Sequence, residues 1–521
     1  MNETYGKYHP GRTAARNPDK PAIILDDGTV AYSFRTFEET SNRFAHLLRA
    51  RGIQRGGRVA FLLENRKEYL PLVWGAWRIG THVTTIATHL SAEEIDYILQ
   101  DCGAELLVTS TKFAATLAKV SPAPAERLDG LMLDGAETGF EDISGLLESQ
   151  PGDPVPDQYE GVDMLYSSGT TGRPKGIFKP LPDRPFGTIA ASNQALYDLY
   201  GLDDSICYLS PAPLYHAAPL QWTLRALRAG GTVVVMRKFD AERALQLIEQ
   251  CGVTHSQWVP THFVRLCRLP EAVKSAHDLS SHRCAIHAAA PCPDDLKKAM
   301  IAWWGPILRE YYAGSEGLGH TAIDTTEWRT YPGSVGRPVG CRVHICDADG
   351  EPLPQGETGI VYFESSSQFE YLNAPEKTAE VRNARGWTTL GDIGHLNDEG
   401  FLFLTDRLAN TIISGGVNIY PQEIENTLSS HPSIEDVAVI GVPNEEFGEE
   451  VKAVVQLATP SDAGEAMAQA LNEFCRAHLS SVKCPRSFDF VAALPRQENG
   501  KLYKKQLVDH YRALSRETTE A

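Results

Sequence analysis

Short apolar runs alternate with amphipathic stretches along the first 110 residues. AIILDDGTVAYSF, from Ala22 to Phe34, predicts two strands around an Asp-Asp-Gly turn. Thr36 then opens a predicted helix that Gly52 ends. The runs RVAFLLEN, HVTTIAT and ELLVTS predict strands, and SAEEIDYILQ predicts a helix whose capping box is Ser91 and Glu94. Strands that alternate with helices indicate a parallel sheet.

The same rhythm returns between residues 232 and 314, where TVVVM, VTHSQWVP, CAIHAAA and ILREYYAG alternate with helical segments. From residue 331 to 404 the chain changes to short β runs separated by Gly and Asp, and beyond Arg407 it predicts a small α+β unit. The expected fold is therefore α/β. It has a large N-terminal domain (1–406) of two α/β subdomains plus a β-rich subdomain, and a small C-terminal domain (411–521).

The stretch YSSGTTGRPKG, from Tyr166 to Gly176, concentrates hydroxyls, glycines and one lysine after an apolar strand end. Backbone N–H groups that lack bulky neighbours converge readily on an anion, and Lys175 adds a positive charge. A flexible surface turn is the plainer interpretation. The Walker spacing fails, because Pro174 stands where that motif needs glycine. The segment therefore predicts a phosphate-binding loop of another kind.

The composition of the chain excludes several classes of binding partner. The chain has 521 residues and a net charge of −18, which disfavours nucleic acid and acidic membrane surfaces. Its first residues have no apolar core typical of a secretory signal, and no apolar run reaches the length of a membrane span. The ten cysteines form no C-x-x-C pair. His282, Cys284 and His287 look briefly like a metal cluster, but in a strand we expect 282 and 284 to face away from 287. We expect a cytoplasmic protein with reduced thiols.

Several segments together resemble a known family, and they occur in its order. YSSGTTGRPKG is followed by PLYHAAP (213–219), AAAP (288–291), YYAGSEG (311–317), GDIGHLNDEGFLFLTDR (391–407) and NGK (499–501). This combination resembles the AMP-forming acyl-adenylate superfamily, which contains acyl-CoA ligases, peptide-synthetase adenylation domains and luciferases. The resemblance covers nearly the whole chain, and it implies that ATP and a carboxylic acid react to form an acyl-adenylate.

The resemblance also implies roles for individual residues. Glu316, together with Thr170, would bind Mg²⁺, a hard cation that prefers carboxylate and phosphate oxygens. Asp392 would accept hydrogen bonds from both ribose hydroxyls, Arg407 would reach ribose or phosphate, and Ser315 would contact the α-phosphate. The remaining residues assigned to ATP or AMP are Ser167, Ser168, Gly169, Thr170, Thr171, Gly172, Lys175, Ala288, Ala289, Ala290 and Tyr312.

Four further roles concern catalysis, movement and the CoA side. PRQENGK predicts an exposed turn that presents the cation of Lys501, and the resemblance implies that this lysine acts in the adenylation transition state. His216 would flank the acid pocket, although a lone histidine beside apolar residues is often a core residue. Residues 407–410 are expected to form a hinge that pivots at Ala409, where the family usually has Asp or Lys. Ser414, Gly415 and Gly416 begin a segment, SGGVNIYPQEIE, that resembles the CoA side of acyl-CoA ligases.

The substrate acid is less well determined. The pocket candidates are largely aromatic or small, which favours an apolar acid, either fatty or bulky and alicyclic. These candidates are Tyr215, His216, Trp222, Trp258, Tyr312 and Gly314. An aromatic acid is the next alternative. The expected activity is that of an acyl-CoA ligase with ATP, Mg²⁺ and coenzyme A, with a free-standing enzyme that loads a carrier protein as the competing hypothesis. A homodimer stays an open alternative.

Overall fold

The computed structural model describes residues 6–120, 122–166, 174–414, 417–444, 446–496 and 502–520. Within these ranges, the first α/β layer is a six-stranded sheet in which every neighbouring pair is parallel. In spatial order its strands are Glu141–Asp142, Asp129–Leu133, Leu106–Ser110, Arg58–Leu62, His82–Thr85 and Val162–Asp163. The helices near it are Phe34–Ala50, Tyr69–Trp77, Ala92–Asp101, Ala114–Leu117 and Ile143–Glu148. The parallel sheet expected from the alternating pattern is present.

The second layer is a sheet of thirteen strands among the described residues. In spatial order they are Arg342–Cys346, Gly359–Glu364, Thr388–Leu396, Leu402–Arg407, Ser334–Val339, His320–Asp324, Leu308–Ala313, Cys284–His287, His255–Trp258, Cys207–Ser210, Thr232–Val235, Pro21–Leu25 and Val30–Ser33. Strands from Leu308–Ala313 to Pro21–Leu25 are parallel, and those from His320–Asp324 to the Arg342–Cys346 edge are antiparallel. The β-rich region therefore continues the second α/β sheet.

Helices cover both faces of this large sheet. Ala217–Ala229 packs on one face together with Ala191–Tyr200, and residues from both helices join the core cluster that also contains the first layer. The other face is covered by Ala241–Cys251, Pro260–Cys267 and Asp294–Trp304. The shorter helices are Pro10–Arg16, Glu271–Lys274, Thr325–Thr330 and Pro375–Glu380.

A small sheet joins the phosphate-loop region to the β-rich part. Its strands are Glu370–Tyr371, Gly176–Phe178 and Leu165–Tyr166, and both pairings are antiparallel. Tyr166 and Gly176, the first and last residues of YSSGTTGRPKG, therefore lie opposite each other on antiparallel strands.

The C-terminal unit is built around the long antiparallel pair Ile434–Asn444 and Gly448–Leu457. Ile412–Ser414, Val417–Ile419 and Ser487–Phe490 extend this sheet, and the helices are Pro421–Ser429, Glu465–His478 and Lys504–Glu520. Its own apolar cluster, centred on residues such as Val439, Val455 and Leu428, is separate from the clusters of the large domain. The predicted α+β unit is present. No helix in the described ranges has the length and apolar character needed to cross a bilayer.

Local signals set the helix starts. The capping box at Ser91 is formed, since Ser91 accepts from the Glu94 amide and Glu94 accepts from the Ser91 amide. The helix expected to open at Thr36 begins instead at Phe34. Ser33 is its N-cap and Thr36 closes a capping box as the third helical residue. Thr36, which the sequence predicted as the helix start, is thus the third helical residue, and Ser33 is the N-cap.

Candidate active site

The phosphate-loop residues Ser167, Ser168, Gly169, Thr170, Thr171 and Gly172 lie outside the described part of the chain. Their flanks are described. Lys175, just before the strand Gly176–Phe178, places its ammonium 5.0 Å from the centre of the Tyr371 ring. Gly176 has no room for a side chain, because a Cβ there would lie 2.9 Å from the phenol end of Tyr166. The close approach of the two strands therefore depends on this glycine.

Glu316 lies in the turn after the strand Leu308–Ala313, beside Ser315. The Tyr371 hydroxyl donates a hydrogen bond of 3.0 Å to Glu316 Oε1. Burial, and next the charge of Glu316, raise the pKa of Tyr371, so the phenol stays a donor at neutral pH. The carboxylate also lies over Gly314, where a Cβ would be 2.6 Å from Glu316 Oε2. The structure thus brings Lys175, Glu316 and Gly314 together around Tyr371.

Asp392 is held from two sides by neighbouring strands. It pairs directly with Arg407 across Thr388–Leu396 and Leu402–Arg407, and Arg407 Nε lies 3.2 Å from Asp392 Oδ1. The Tyr312 hydroxyl donates to Asp392 Oδ2 at 2.5 Å. Burial raises the pKa of Asp392, while Arg407 and the Tyr312 hydrogen bond act against that rise. A carboxylate accepts about four hydrogen bonds, so this one can still bind two adjacent hydroxyls.

The turn Ala288–Ala290 follows directly after the buried strand Cys284–His287. Ala288 is buried and its N–H donates to the carbonyl of Trp258 at 3.3 Å. Ala289 has φ = 77°, in the left-handed region. A Cβ in that region costs about 1 kcal/mol relative to glycine. The chain therefore keeps a glycine-like turn with an alanine.

The helix Ala217–Ala229 carries the first acid-pocket candidates. His216 is its N-cap and has extended backbone angles, and its ring centre lies 4.5 Å from that of Tyr215. Thr85 Oγ1 fixes this segment by donating to the Tyr215 carbonyl at 2.8 Å. Trp222, one turn into the helix, donates from Nε1 to the Tyr311 hydroxyl at 3.3 Å. Tyr215, His216 and Trp222 therefore share one side of the helix–sheet interface.

Trp258 lies elsewhere. Its side chain is fully buried in the second core cluster, 5.4 Å from the Trp304 ring centre, and its Nε1 donates to Ser256 Oγ. Trp222 belongs to the cluster on the opposite face of the large sheet. The structure therefore does not bring Trp258 to the other candidates. Its neighbour Gln257 occupies the alternate position, since successive strand residues point to opposite faces.

Polar side chains instead line the face that helix Ala217–Ala229 covers. We name this set the polar row: Tyr208, Ser210, Gln257, Tyr311 and His320. Tyr208 and Ser210 alternate with Leu209, which packs in the opposite cluster. Burial, with a smaller contribution from Arg225, lowers the pKa of His320 to about 4, so this imidazole is neutral at pH 7.

A chain of polar contacts that the sequence did not suggest reaches this row. Lys179 Nζ donates to Asp163 Oδ2 at 3.2 Å, and Gln221 Nε2 donates to the same oxygen at 3.2 Å. Arg225 Nη2 then donates to Gln221 Oε1 at 3.1 Å. Lys179 also borders the Glu316 turn, since a Cβ on Gly317 would lie 3.7 Å from its Nζ. Helical spacing could have placed Arg225 beside Trp222, three residues earlier.

The proposed hinge follows the strand that carries Arg407. Ala409 is exposed in the 3-10 turn Leu408–Asn410. Asp406 Oδ1 accepts from Asn410 Nδ2 at 3.1 Å, and Asp406 Oδ2 accepts from the backbone N–H of Gln422 at 2.6 Å. Asn410, at the end of this turn, is thus a partner of Asp406. This carboxylate connects the end of the large domain to the helix Pro421–Ser429.

The CoA-side and lysine predictions are only partly visible. Ser414 is buried at the end of the strand Ile412–Ser414. Gly415, Gly416 and Lys501 fall outside the described residues. The described ranges contain no group of three or more His, Cys, Asp or Glu side chains arranged to hold a metal. Cys284 faces the first core cluster, whereas His282 bonds Ser256 and His287 packs on Phe263. The opposite facing expected for Cys284 and His287 is therefore confirmed, and the shared facing expected for His282 and Cys284 was wrong.

These features define a class of protein. Three features occur beside a separately folded C-terminal unit: a buried carboxylate fixed between a phenol and a guanidinium, a pair of strands that flanks a glycine-rich segment, and an acidic turn. Residues 11–371 match the family model described as AMP-binding enzyme, and residues 423–501 match the AMP-binding enzyme C-terminal domain. The chain belongs to the AMP-binding enzyme family.

Named relatives give the branch. The fatty acid–[acyl-carrier-protein] ligase ScoC of Streptomyces coeruleorubidus is 32% identical over 96% of this chain and 95% of its own. The long-chain-fatty-acid–CoA ligase FadD13 of Mycobacterium tuberculosis is 31% identical over 96% of this chain and 97% of its own. The crystal structure of ATP-bound MatB from Rhodopseudomonas palustris is similar with a TM-score of 0.85 and 27% identity, covering 98% of this chain and 99% of MatB. The chain is an enzyme of the AMP-forming acid–thiol ligase class.

Proposed function

We propose that the protein is an ATP-dependent acyl-CoA ligase that converts a largely apolar carboxylic acid to acyl-AMP and pyrophosphate, and then transfers the acyl group to CoA. The observation that carries this proposal is Asp392, held by Tyr312 and Arg407 at the edge of the large sheet. Two preset donors leave its remaining lone pairs directed at one ligand, which suits the vicinal hydroxyls of a ribose.

Adenylation opposes two anions, because the acid carboxylate must attack the α-phosphate of ATP. Positioning and electrostatic stabilisation therefore account for most of the catalysis. Lys175 lies beside the turn of Ser315 and Glu316, where it can neutralise phosphate charge. We assign Ser167 to Gly172 to the leaving pyrophosphate and Lys501 to the transition state, on the sequence pattern.

Mg²⁺ fits the donor set at Glu316. This cation takes one or two carboxylates together with phosphate oxygens and water, so a single half-exposed carboxylate is sufficient. The Tyr371 hydroxyl orients that carboxylate from behind. We propose that Glu316 and Thr170 hold the ion, which would neutralise charge on the phosphates.

The acid would enter between the helix Ala217–Ala229 and the large sheet. Tyr215 and Trp222 supply aromatic walls, and Gly314 lets Leu390 and Glu316 approach the backbone, because a Cβ there would collide with both. Aromatic surface beside a glycine suits an apolar body, either fatty or alicyclic. An aromatic acid fits the same walls and is the alternative acid.

CoA is the proposed thiol because SGGVNIYPQEIE resembles the segment that acyl-CoA ligases place on the CoA side. The test is AMP formation from a medium-chain acid with and without CoA, with mass spectrometry of the thioester. We expect turnover beyond one equivalent to need CoA, because bound acyl-AMP otherwise blocks the site. Equally fast AMP release without CoA, and no thioester, would contradict the proposal.

A carrier protein is the second candidate thiol, since ScoC, which is similar over nearly the whole chain, is a ligase for an acyl carrier protein. The same assay is repeated with a phosphopantetheinylated carrier protein in place of CoA, at the same concentration. A kcat/KM higher for the carrier than for CoA would replace the acceptor in the proposal and keep the adenylation step.

Lys501 and the hinge separate the two half-reactions. Lys501→Ala should abolish acyl-AMP formation yet still convert supplied acyl-AMP to the thioester. Ala409→Pro should do the reverse, because proline fixes φ near about −65° and resists rotation. If both half-reactions fall together in a folded Lys501→Ala enzyme, the assignment of that lysine fails. Undiminished thioester formation in Ala409→Pro would exclude Ala409 as the pivot.

A further inference from the structure

The polar row is an unusual wall for a pocket that takes an apolar acid. Four of its buried atoms have no hydrogen-bond partner among the described residues: Tyr208 OH, Ser210 Oγ, Gln257 Oε1 and His320 Nε2. Each of these residues is at least nine-tenths buried. A buried polar atom without a partner costs about 1–3 kcal/mol, and folded proteins rarely tolerate several on one face. These atoms therefore indicate a polar group that the pocket receives.

Arg225 indicates the charge of the group that the pocket receives. Its guanidinium carbon lies 5.2 Å from the centre of the Trp222 ring, half-buried at the same helix–sheet interface. Among the described residues no carboxylate oxygen lies within 4.0 Å of it, and it donates a hydrogen bond to the neutral Gln221. One turn later, Arg228 is paired with Glu160 at 2.6 and 3.1 Å. The chain thus neutralises one arginine of this helix and leaves the other without a carboxylate.

The surrounding charges do not supply a counter-ion. Asp163 lies at the end of the polar chain, but it already accepts from Lys179. Asp163 therefore balances only Lys179, Arg225 reaches it only through Gln221, and His320 is neutral. The whole chain has a net charge of −18, so this local excess of positive charge goes against the overall balance. An excess of this kind favours an anion.

We propose that the substrate acid carries a second, anionic group, a carboxylate on the far end of its apolar body, which binds between Arg225 and the polar row. This inference deepens the proposed function and rests on it. The first carboxylate reacts with ATP, while the second stays ionised and fixes the depth of the acid. Arg225 is then a specificity-determining residue, and Ser210 and Tyr208 donate to the same group.

The test uses acids that share one body and differ at one end. The linear set is octanoate, omega-hydroxyoctanoate and octanedioate. The ring set is 3-cyclohexylpropanoate with hydrogen, hydroxyl or carboxylate at carbon 4 of the ring. Pyrophosphate release gives kcat/KM for each acid. We expect the dicarboxylate of at least one set to exceed its monoacid by about tenfold or more, because a site built for a polar group rejects analogues that lack it.

Arg225→Met removes the charge and keeps most of the side-chain volume. It should lower kcat/KM for the preferred dicarboxylate by about tenfold or more, through KM, and leave the matching monoacid within about threefold. Arg225→Lys should retain part of the preference. The control is Arg265→Met, because Arg265 also has no carboxylate within 4.0 Å among the described residues but lies exposed on the other side of the large sheet. It should leave all six acids unchanged.

Three results would overturn the inference. The first is a wild-type enzyme that prefers the monoacid, or shows no preference, in both sets. The second is an equal loss of kcat/KM for all six acids in both folded variants, Arg225→Met and Arg225→Lys. The third is a preference for the hydroxyl acids that survives Arg225→Met, which would mean a neutral group. If none of the six acids supports pyrophosphate release or exchange, the proposed function fails as well, which distinguishes the two failures.

Discussion

The proposed nucleotide side and the proposed acid side of the site differ in whether their buried polar groups have hydrogen-bond partners. On the nucleotide side, Asp392 and Glu316 each accept a hydrogen bond from a tyrosine, Tyr312 and Tyr371. On the acid side, four polar atoms of the polar row have no partner among the residues described. The first side is organised before any ligand arrives, and its geometry suits one constant ligand. The second side is completed by whatever enters, which is where members of one family can differ.

Glu316→Gln should give the largest effect, since it removes the charge of the preorganised side and keeps its shape. Loss of such electrostatic stabilisation costs about 3–4 kcal/mol of barrier, or about a hundredfold to a thousandfold in rate. Pyrophosphate exchange across a range of Mg²⁺ concentrations measures it. Tyr371→Phe is the matched control, which keeps the carboxylate and loses one hydrogen bond, and should cost about tenfold at most. Wild-type exchange in Glu316→Gln at limiting Mg²⁺ would show that the metal site is misplaced.

The acid side should contribute to acid sensitivity through His320. Its folded pKa of about 4 lies below the ordinary 6.5, so between these values the unfolded chain binds a proton that the folded chain does not. The contribution of His320 to the free energy of unfolding is therefore fully present above pH 6.5 and is lost as pH falls toward 4. His320→Gln should remove up to about 3 kcal/mol of that loss in the free energy of unfolding. Urea unfolding at pH 7 and pH 4.5 measures this difference. An equal drop in the free energy of unfolding in the wild-type protein and in His320→Gln would show that His320 is not buried as described.

Tyr312→Phe tests the preset donors of Asp392. It removes one hydrogen bond to an ionised group, which contributes about 1.5–3 kcal/mol when buried, and part of this loss should appear as a KM for ATP raised about tenfold. Stability should change less than affinity. Isothermal titration with a non-hydrolysable ATP analogue provides the binding constant. An unchanged constant would mean that Arg407 alone orients Asp392.

Ala289→Gly should give the smallest effect, and in the opposite direction. Glycine relieves the positive φ of 77° at Ala289 but loosens the unfolded chain, so a net gain of about 0.5–1 kcal/mol is expected. Ala288→Gly is the control, because Ala288 is buried and outside the left-handed region, and it should destabilise. Thermal unfolding of both variants measures the difference, and a loss in Ala289→Gly equal to that in Ala288→Gly would contradict the strain.

The structure brings together Asp392, Tyr312 and Arg407, which the sequence predicts for the nucleotide, but separates Trp258 from Trp222, which it predicts for the acid, and this difference has a physical reason. Asp392 and Arg407 lie in a segment whose residue types and order suffice to identify them, and the strand register then brings them opposite each other. Tyr371 gave no such signal, because it arrives from a two-residue strand far along the chain. On the acid side one residue decides the face of a strand, so Trp258 was chosen where Gln257 stands.

The histidines show the same sensitivity to register. His282 was expected to alternate in phase with Cys284, but the strand begins at Cys284, so the alternation does not extend back to His282. His282 and His287 instead pack on the same side, against Ser256 and Phe263. Strand identity could be predicted from apolar runs, whereas strand boundaries, which fix the facing, depend on partners distant in sequence.

The Asp406 carboxylate has a consequence for ionic strength. The helix Pro421–Ser429 has no side-chain cap of its own at Tyr420, and Asp406, well upstream, accepts from the N–H of Gln422 in its first turn. A negative charge at a helix start is stabilised by the helix dipole, and dissolved salt screens a buried charge such as Asp406 far less than an exposed one. Any rotation about residues 408–410 that separates this strand end from the helix must give up that interaction. The energy needed to begin the proposed movement should therefore change little between dilute and concentrated electrolyte.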